Sequence, residues 1–243
     1  MAIAKFLFFT NKRVSNFNDL LLAADQGQVS ALCLLDLTSA FDTVDHTLLL
    51  TRLERSFGVQ GGCLAWFTSY LSGRSYCVVI DSVASHVTHI MCSVPHSSVL
   101  GPLLFILYIA DLADIAAQYN LTLHAFADDN QLYIHCKPEN VQSAVTSVQQ
   151  CVTAIEQWMA ASRLRLTMDK TELIWTGTKH NLSNIQGSGR ALTLGGAHVA
   201  NKMTSVFSES NSRRICHSTS TSTLLVLMLL STTTTTPHST FSG

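Results

Sequence analysis

Charge is scarce in this 243-residue sequence and neither sign is in excess: Lys and Arg number 15, Asp and Glu 16, and 13% of residues are charged. Proteins that draw their affinity from a phosphate backbone ordinarily carry a basic face, so overall charge gives no sign of nucleic-acid binding. Cysteine chemistry is lacking too. Cys33, Cys63, Cys77, Cys92, Cys136, Cys151 and Cys216 are odd in number and include no C-x-x-C pair, which excludes a complete disulfide frame and the common zinc spacings. Their mostly apolar neighbours predict buried thiols in a reducing compartment. The ten histidines contain no H-E-x-x-H, and His86 with His89 reads as strand decoration. No run reaches the roughly 18 apolar residues of a membrane span. Met1–Phe9 has one lysine and no small-residue cleavage site, which argues against a signal peptide.

What is present is a core: 47% of residues are hydrophobic, enough for one large or two small domains. Asn18–Gln26 reads as a helix closed by Gly27. Ala31–Leu35 reads as a strand ending at Asp36, and Asp42 and Asp45 provide capping residues for a helix from about His46 to Phe57. Leu64–Leu71 forms a short amphipathic helix. Ser75–Ile80 and Val87–Cys92 predict a hairpin, and Val99–Ala117 one strongly apolar, buried helix. After Pro138, residues Val141, Ala144, Val145, Val148, Val152, Ile155, Trp158 and Met159 form one helical stripe. Arg163–Thr167 and Glu172–Thr176 read as two further strands. Residues 16–200 thus form an α+β unit of helices laid on a mostly antiparallel sheet. Residues 1–15 match nothing that follows, and 201–243, rich in Ser and Thr, reads as a disordered tail.

Phe126-Ala127-Asp128-Asp129 lies between two β-prone runs, Leu121–Ala125 and Gln131–His135. Adjacent acids there suit an ordinary surface turn. With Asp36 at the end of another strand, they equally suit a carboxylate cluster for divalent cations, as phosphoryl or nucleotidyl transfer requires.

The motifs carry a resemblance that periodicity does not. Leu35-Asp36-Leu37-Thr38-Ser39-Ala40-Phe41-Asp42-Thr43-Val44-Asp45-His46 resembles motif A of reverse transcriptases from non-LTR (LINE-type) retrotransposons. Val99-Leu100-Gly101-Pro102-Leu103-Leu104-Phe105 resembles the second half of motif B. Phe126-Ala127-Asp128-Asp129 resembles motif C, and Trp158-Met159 with Asp169-Lys170-Thr171-Glu172 resembles motif D. The resemblance implies a right-hand polymerase palm, an antiparallel sheet backed by helices, with fingers largely absent and the thumb missing. It implies RNA-directed DNA synthesis from deoxynucleoside triphosphates on an RNA template and DNA primer, in a nuclear, membrane-free setting. Asp36, Asp128 and Asp129 would hold two Mg2+ ions, with Mn2+ as an alternative. Lys170 would protonate the leaving pyrophosphate, and Phe41 would exclude a ribose 2′-hydroxyl. Pro95, His96 and Ser97 would lie beside the nucleotide.

The chain departs from the family's pattern in motif B, where Ser93, His96 and Ser97 replace glycine, glutamine and glycine, and in motif D, where Thr167 replaces asparagine. These departures and the missing ends leave a second expectation: a catalytically dead retroelement-derived fragment with at most nucleic-acid or protein binding.

Overall fold

The computed structural model describes residues 13–95, 98–126 and 129–185, together with short strands between 193 and 215. In chain order, helix α1 (Arg13–Asp25) leads into strand β1 (Val29–Leu35), followed by helices α2 (His46–Arg55) and α3 (Gly61–Leu71). Four two-residue strands follow: β2 (Ser75–Tyr76), β3 (Val79–Ile80), β4 (Val83–Ala84) and β5 (Thr88–His89). Next come helices α4 (Leu100–Tyr108) and α5 (Leu112–Gln118), the hairpin of β6 (Thr122–Phe126) and β7 (Asp129–Cys136), and the long helix α6 (Val141–Ala161). Strand β8 (Glu172–Gly177), helix α7 (Lys179–Asn184) and strands β9 (Thr193–Leu194), β10 (Ala197–His198), β11 (Ala200–Phe207) and β12 (Arg214–Ile215) complete the described elements.

The main sheet has the order β12-β11-β8-β1-β7-β6, and all its pairings are antiparallel except β11 with β8. β1 is therefore a central strand, which explains its nearly unbroken apolar sequence: with covers on both faces, alternation is lost. Val29, Ala31, Cys33 and Leu35 face a core shared with Val141, Val145, Val148, Val152 and Ile155 of α6, the stripe predicted from spacing. Leu32 packs with Tyr133 and Ile174 on the opposite face. There the Tyr133 hydroxyl donates to an Asp19 carboxylate oxygen at 3.3 Å, placing α1 against that side of the sheet.

Several expectations change in detail. Val99–Ala117 is two helices, with the break at Ile109–Asp111. The stretch Leu100–Gln118 has the length and apolarity of a membrane span, contrary to the reading from apolar runs. Yet Leu104, Phe105, Tyr108, Ile109 and Leu112 are wholly buried in the domain core. Arg163–Thr167 is not a strand; it makes only an isolated bridge, Leu166 to Leu37. The predicted hairpin over 75–92 is two nested ladders, β2 with β5 and β3 with β4. The sheet also continues past residue 200, because β11 runs along β8 to Ser205 and pairs with β12 through Val206 and Phe207; residues 208–213 and 216–243 lie outside the described residues.

The thiols divide. Cys33 and Cys151 are buried, and burial pushes both up to about 12. Cys136 is half-buried, and Cys63, Cys77 and Cys92 are exposed, contrary to the expectation of buried thiols. Cys216 lies outside the described residues.

Candidate active site

Three backbone arrangements converge at the end of β1. The first is register: Leu35 pairs with Asn130, so Asp36 leaves β1 beside Asp129, which pairs with Phe126 across the hairpin mouth. The second is the segment after α6. The Thr167 N–H donates to the Asp36 carbonyl at 2.8 Å, and the Thr38 N–H donates to the Arg165 carbonyl at 2.9 Å. The Thr38 and Thr167 hydroxyls are 2.7 Å apart. A 3-10 turn, Met168–Lys170, then brings Lys170 Nζ to 3.4 Å from Asp36 Oδ2. Both side chains are substantially exposed, 70% for Lys170 and 41% for Asp36, so this pair contributes charge balance more than stability.

The third arrangement is the segment before α4. Val94 N–H donates to the Phe41 carbonyl and Ser93 N–H to the Val44 carbonyl, each at 2.9 Å. His46 Nε2 lies 2.7 Å from the Ser93 carbonyl. The Pro95 carbonyl accepts from the Ser98 hydroxyl at 2.8 Å, and Ser98 Oγ accepts from the Gly101 N–H at 2.9 Å. A Cβ at Gly101 would collide with the Pro95 carbonyl oxygen, so the motif-B glycine is a packing necessity here. Phe41 is buried against Phe105, with ring centroids 5.1 Å apart.

The family described as reverse transcriptase (RNA-dependent DNA polymerase) matches residues 5–206. The chain belongs to the reverse transcriptases. Among curated relatives it is 27% identical over 163 residues to the RNA-directed DNA polymerase from mobile element jockey of Drosophila melanogaster, covering 65% of this chain and 17% of that protein. It is 30% identical over 151 residues to the jockey polymerase of Drosophila funebris, covering 60% of this chain and 16% of that protein. This reverse transcriptase domain thus spans about a sixth of the length of those relatives and is of the non-LTR, LINE type. A solved structure of apo telomerase from Candida tropicalis superposes with a TM-score of 0.53 at 14% identity, covering 78% of this chain and 37% of that one. That likeness shows the polymerase-palm fold.

Within the reverse transcriptase domain, Asp36, Asp129 and Lys170 come together at one end of the sheet. Phe41 and Pro95 belong to the adjoining segment, tied to it through Val94 and Ser98. Asp128, His96 and Ser97 lie outside the described residues. Of the two expected capping aspartates only Asp45 caps: its Oδ1 accepts from Leu48 N–H at 2.8 Å. Asp42 lies in the preceding turn, its N–H donating to Ser39. Asp45 also meets Arg163 at 2.7 Å, a tie from α2 to the end of α6 that no local pattern announces. Nor does sequence reveal Arg52, whose guanidinium reaches the Ser162 hydroxyl at 2.7 Å and lies over the Tyr108 and Trp158 rings. Burial lowers the Arg52 pKa, and the contacts join α2, α4 and α6.

Proposed function

We propose that this domain catalyses RNA-directed DNA synthesis by two-metal nucleotidyl transfer, with Asp36, Asp128 and Asp129 as the magnesium ligands. The observation that carries the reading is the register that delivers Asp36 to the mouth of the β6–β7 hairpin, next to Asp129. Exposed carboxylates are hard oxygen donors and suit Mg2+, or Mn2+ in its place. Bound there, the ions would supply charge stabilisation for nucleotidyl transfer. The protein's own part is to hold those carboxylates on rigid strands and to keep a cation, Lys170, where negative charge develops on the leaving pyrophosphate. Phe41, Pro95, His96 and Ser97 shape the nucleotide side of the site, and RNA template, DNA primer and deoxynucleoside triphosphates are the substrates.

Primer extension on an RNA homopolymer with magnesium is the test. Extension by the wild type that vanishes in Asp128→Asn supports the reading, because losing one metal ligand costs orders of magnitude in rate. Calorimetric magnesium binding that is unchanged in Asp36→Ala would sink the shared site. One observation favours a second reading, a catalytically silent fragment that binds nucleic acid or protein. Ser93 adopts φ +113° where the family's pattern has glycine, so the loop before the nucleotide residues is held in a conformation costly for a side chain.

A further inference from the structure

Outside the carboxylate site, the most organised exposed group of side chains lies on and just beyond α3. Trp66 and Tyr70 are one helical turn apart, with rings stacked at 5.4 Å and an interplanar angle of 9°. The Arg74 guanidinium lies over the other end of this pair, 5.4 Å from the Tyr70 ring centroid. Trp66 and Tyr70 share a helix face at i, i+4; α3 ends at Leu71, and Arg74 folds back from beyond it, its guanidinium donating to the Tyr70 carbonyl at 3.4 Å. Trp66 is 52% exposed, a large area for an aromatic that has a neighbouring core available. The line also leads to the site, because the Tyr70 hydroxyl donates to Ser98 Oγ at 3.3 Å and Ser98 in turn holds Pro95 and Gly101.

From this geometry we infer that Trp66, Tyr70 and Arg74 form a stacking platform for a single-stranded nucleic acid, and that it leads the strand toward the motif-B segment. The inference rests on the reading that this domain handles nucleic acid. Parallel aromatic faces capped by a guanidinium are what unpaired bases and their phosphates bind: every base offers a π-face, and the cation offsets the backbone charge. Trp66 also meets the Phe67 ring at 5.1 Å and 81°, and with Tyr70 and Arg74 this pre-orders the line, so a base stacking on the exposed part of Trp66 extends an existing pile without ordering new side chains. The chain carries no excess of positive charge, so stacking carries a larger share of the binding and Arg74 supplies a local cation.

The test is binding of short oligothymidylate and oligouridylate to the full chain, followed by Trp fluorescence and anisotropy. Trp175 is buried and Trp158 lies under Arg52, so quenching by an added base reports mainly on Trp66. The expected result is quenching in the wild type and an affinity about 5- to 150-fold weaker in Trp66→Ala. Trp66→Phe should recover most of that loss, and Arg74→Gln should lower the slope of log affinity against log salt by about 0.7. An exposed ring can be cut without unfolding the domain, and an unchanged circular-dichroism melt verifies this for each variant. Wild-type binding that Trp66→Ala leaves intact overturns the platform while leaving the polymerase reading standing. Self-association that Trp66→Ala abolishes, with oligonucleotide affinity unchanged, overturns it in favour of a protein interface. No quenching and no binding by the wild type also overturns it, whereas primer extension and magnesium calorimetry judge the polymerase reading separately.

Discussion

At the scale of single residues, Ser93 shows how a substitution is paid for by its neighbours. Its φ of +113° lies in the region that favours glycine, and a side chain there costs about 1–3 kcal/mol. The conformation persists because its surroundings fix it: Ser93 N–H donates to Val44, and the Ser93 carbonyl meets His46 Nε2. Ser93→Gly should therefore stabilise the domain. Part of the relieved strain is offset by the greater freedom of glycine in the unfolded chain, leaving a net gain of about 1 kcal/mol, or about 2–4 °C in the thermal midpoint. A differential-scanning melt with an unchanged or lower midpoint would show that Ser93 is not strained. The same variant should raise primer extension if that strain is what weakens the motif-B loop.

At the scale of elements, Asp45 performs two tasks at the start of α2. It caps Leu48 N–H, and it pairs with Arg163 just past α6. An N-cap contributes about 1 kcal/mol. Arg163 is 71% exposed, so the ion pair adds about 0–1 kcal/mol after screening. Asp45→Ala should cost about 1–2 kcal/mol in urea denaturation, and Asp45→Asn, which keeps the cap oxygen, less than half of that. Equal losses in the two variants would show that the ion pair outweighs the cap. This double role also marks what sequence discloses. The cap was legible because a carboxylate before an apolar helical stripe is a local signal, and α6 was legible because its buried positions repeat with the helix. The break between α4 and α5 was not: Ile109, Ala110 and Leu112 are all buried, so the apolar run continues across a turn that only tertiary packing demands. Arg163–Thr167 looked like a strand because its apolar residues alternate, yet it spends its backbone groups on Asp36 and Thr38 instead of on a ladder. The carboxylate site divides the same way. Motif order announced Asp36 and Asp129, whereas the hydroxyl pair Thr38–Thr167 that seats Lys170 beside Asp36 depends on a contact across 129 positions.

At the scale of the whole molecule, the apolar surface is unevenly distributed. The helices and main sheet bury most of theirs, Leu22 and Trp66 excepted, but the nested ladders between α3 and α4 leave Tyr76, Val78, Val79, Ile80, Val83, Val87 and Met91 between 53% and 83% exposed. The innermost turn is tight, with Asp81 at φ +46° and Ser82 at φ +68°, the two positive values of a hairpin turn matched to strand twist. The projection is therefore a formed β unit with exposed apolar faces and strands that pair only with each other among the described residues. Such edges recruit further strands, and a contiguous apolar patch promotes association. Replacing Ile80 and Val83 together by lysine should suppress concentration-dependent association in sedimentation velocity. Both side chains are more than 60% exposed, so the thermal midpoint should stay within the roughly 0.5 kcal/mol typical of surface changes. A lysine pair that lowers the midpoint without altering association would mean that the ladder packs against the domain, and the aggregation-prone surface would then have to be sought elsewhere.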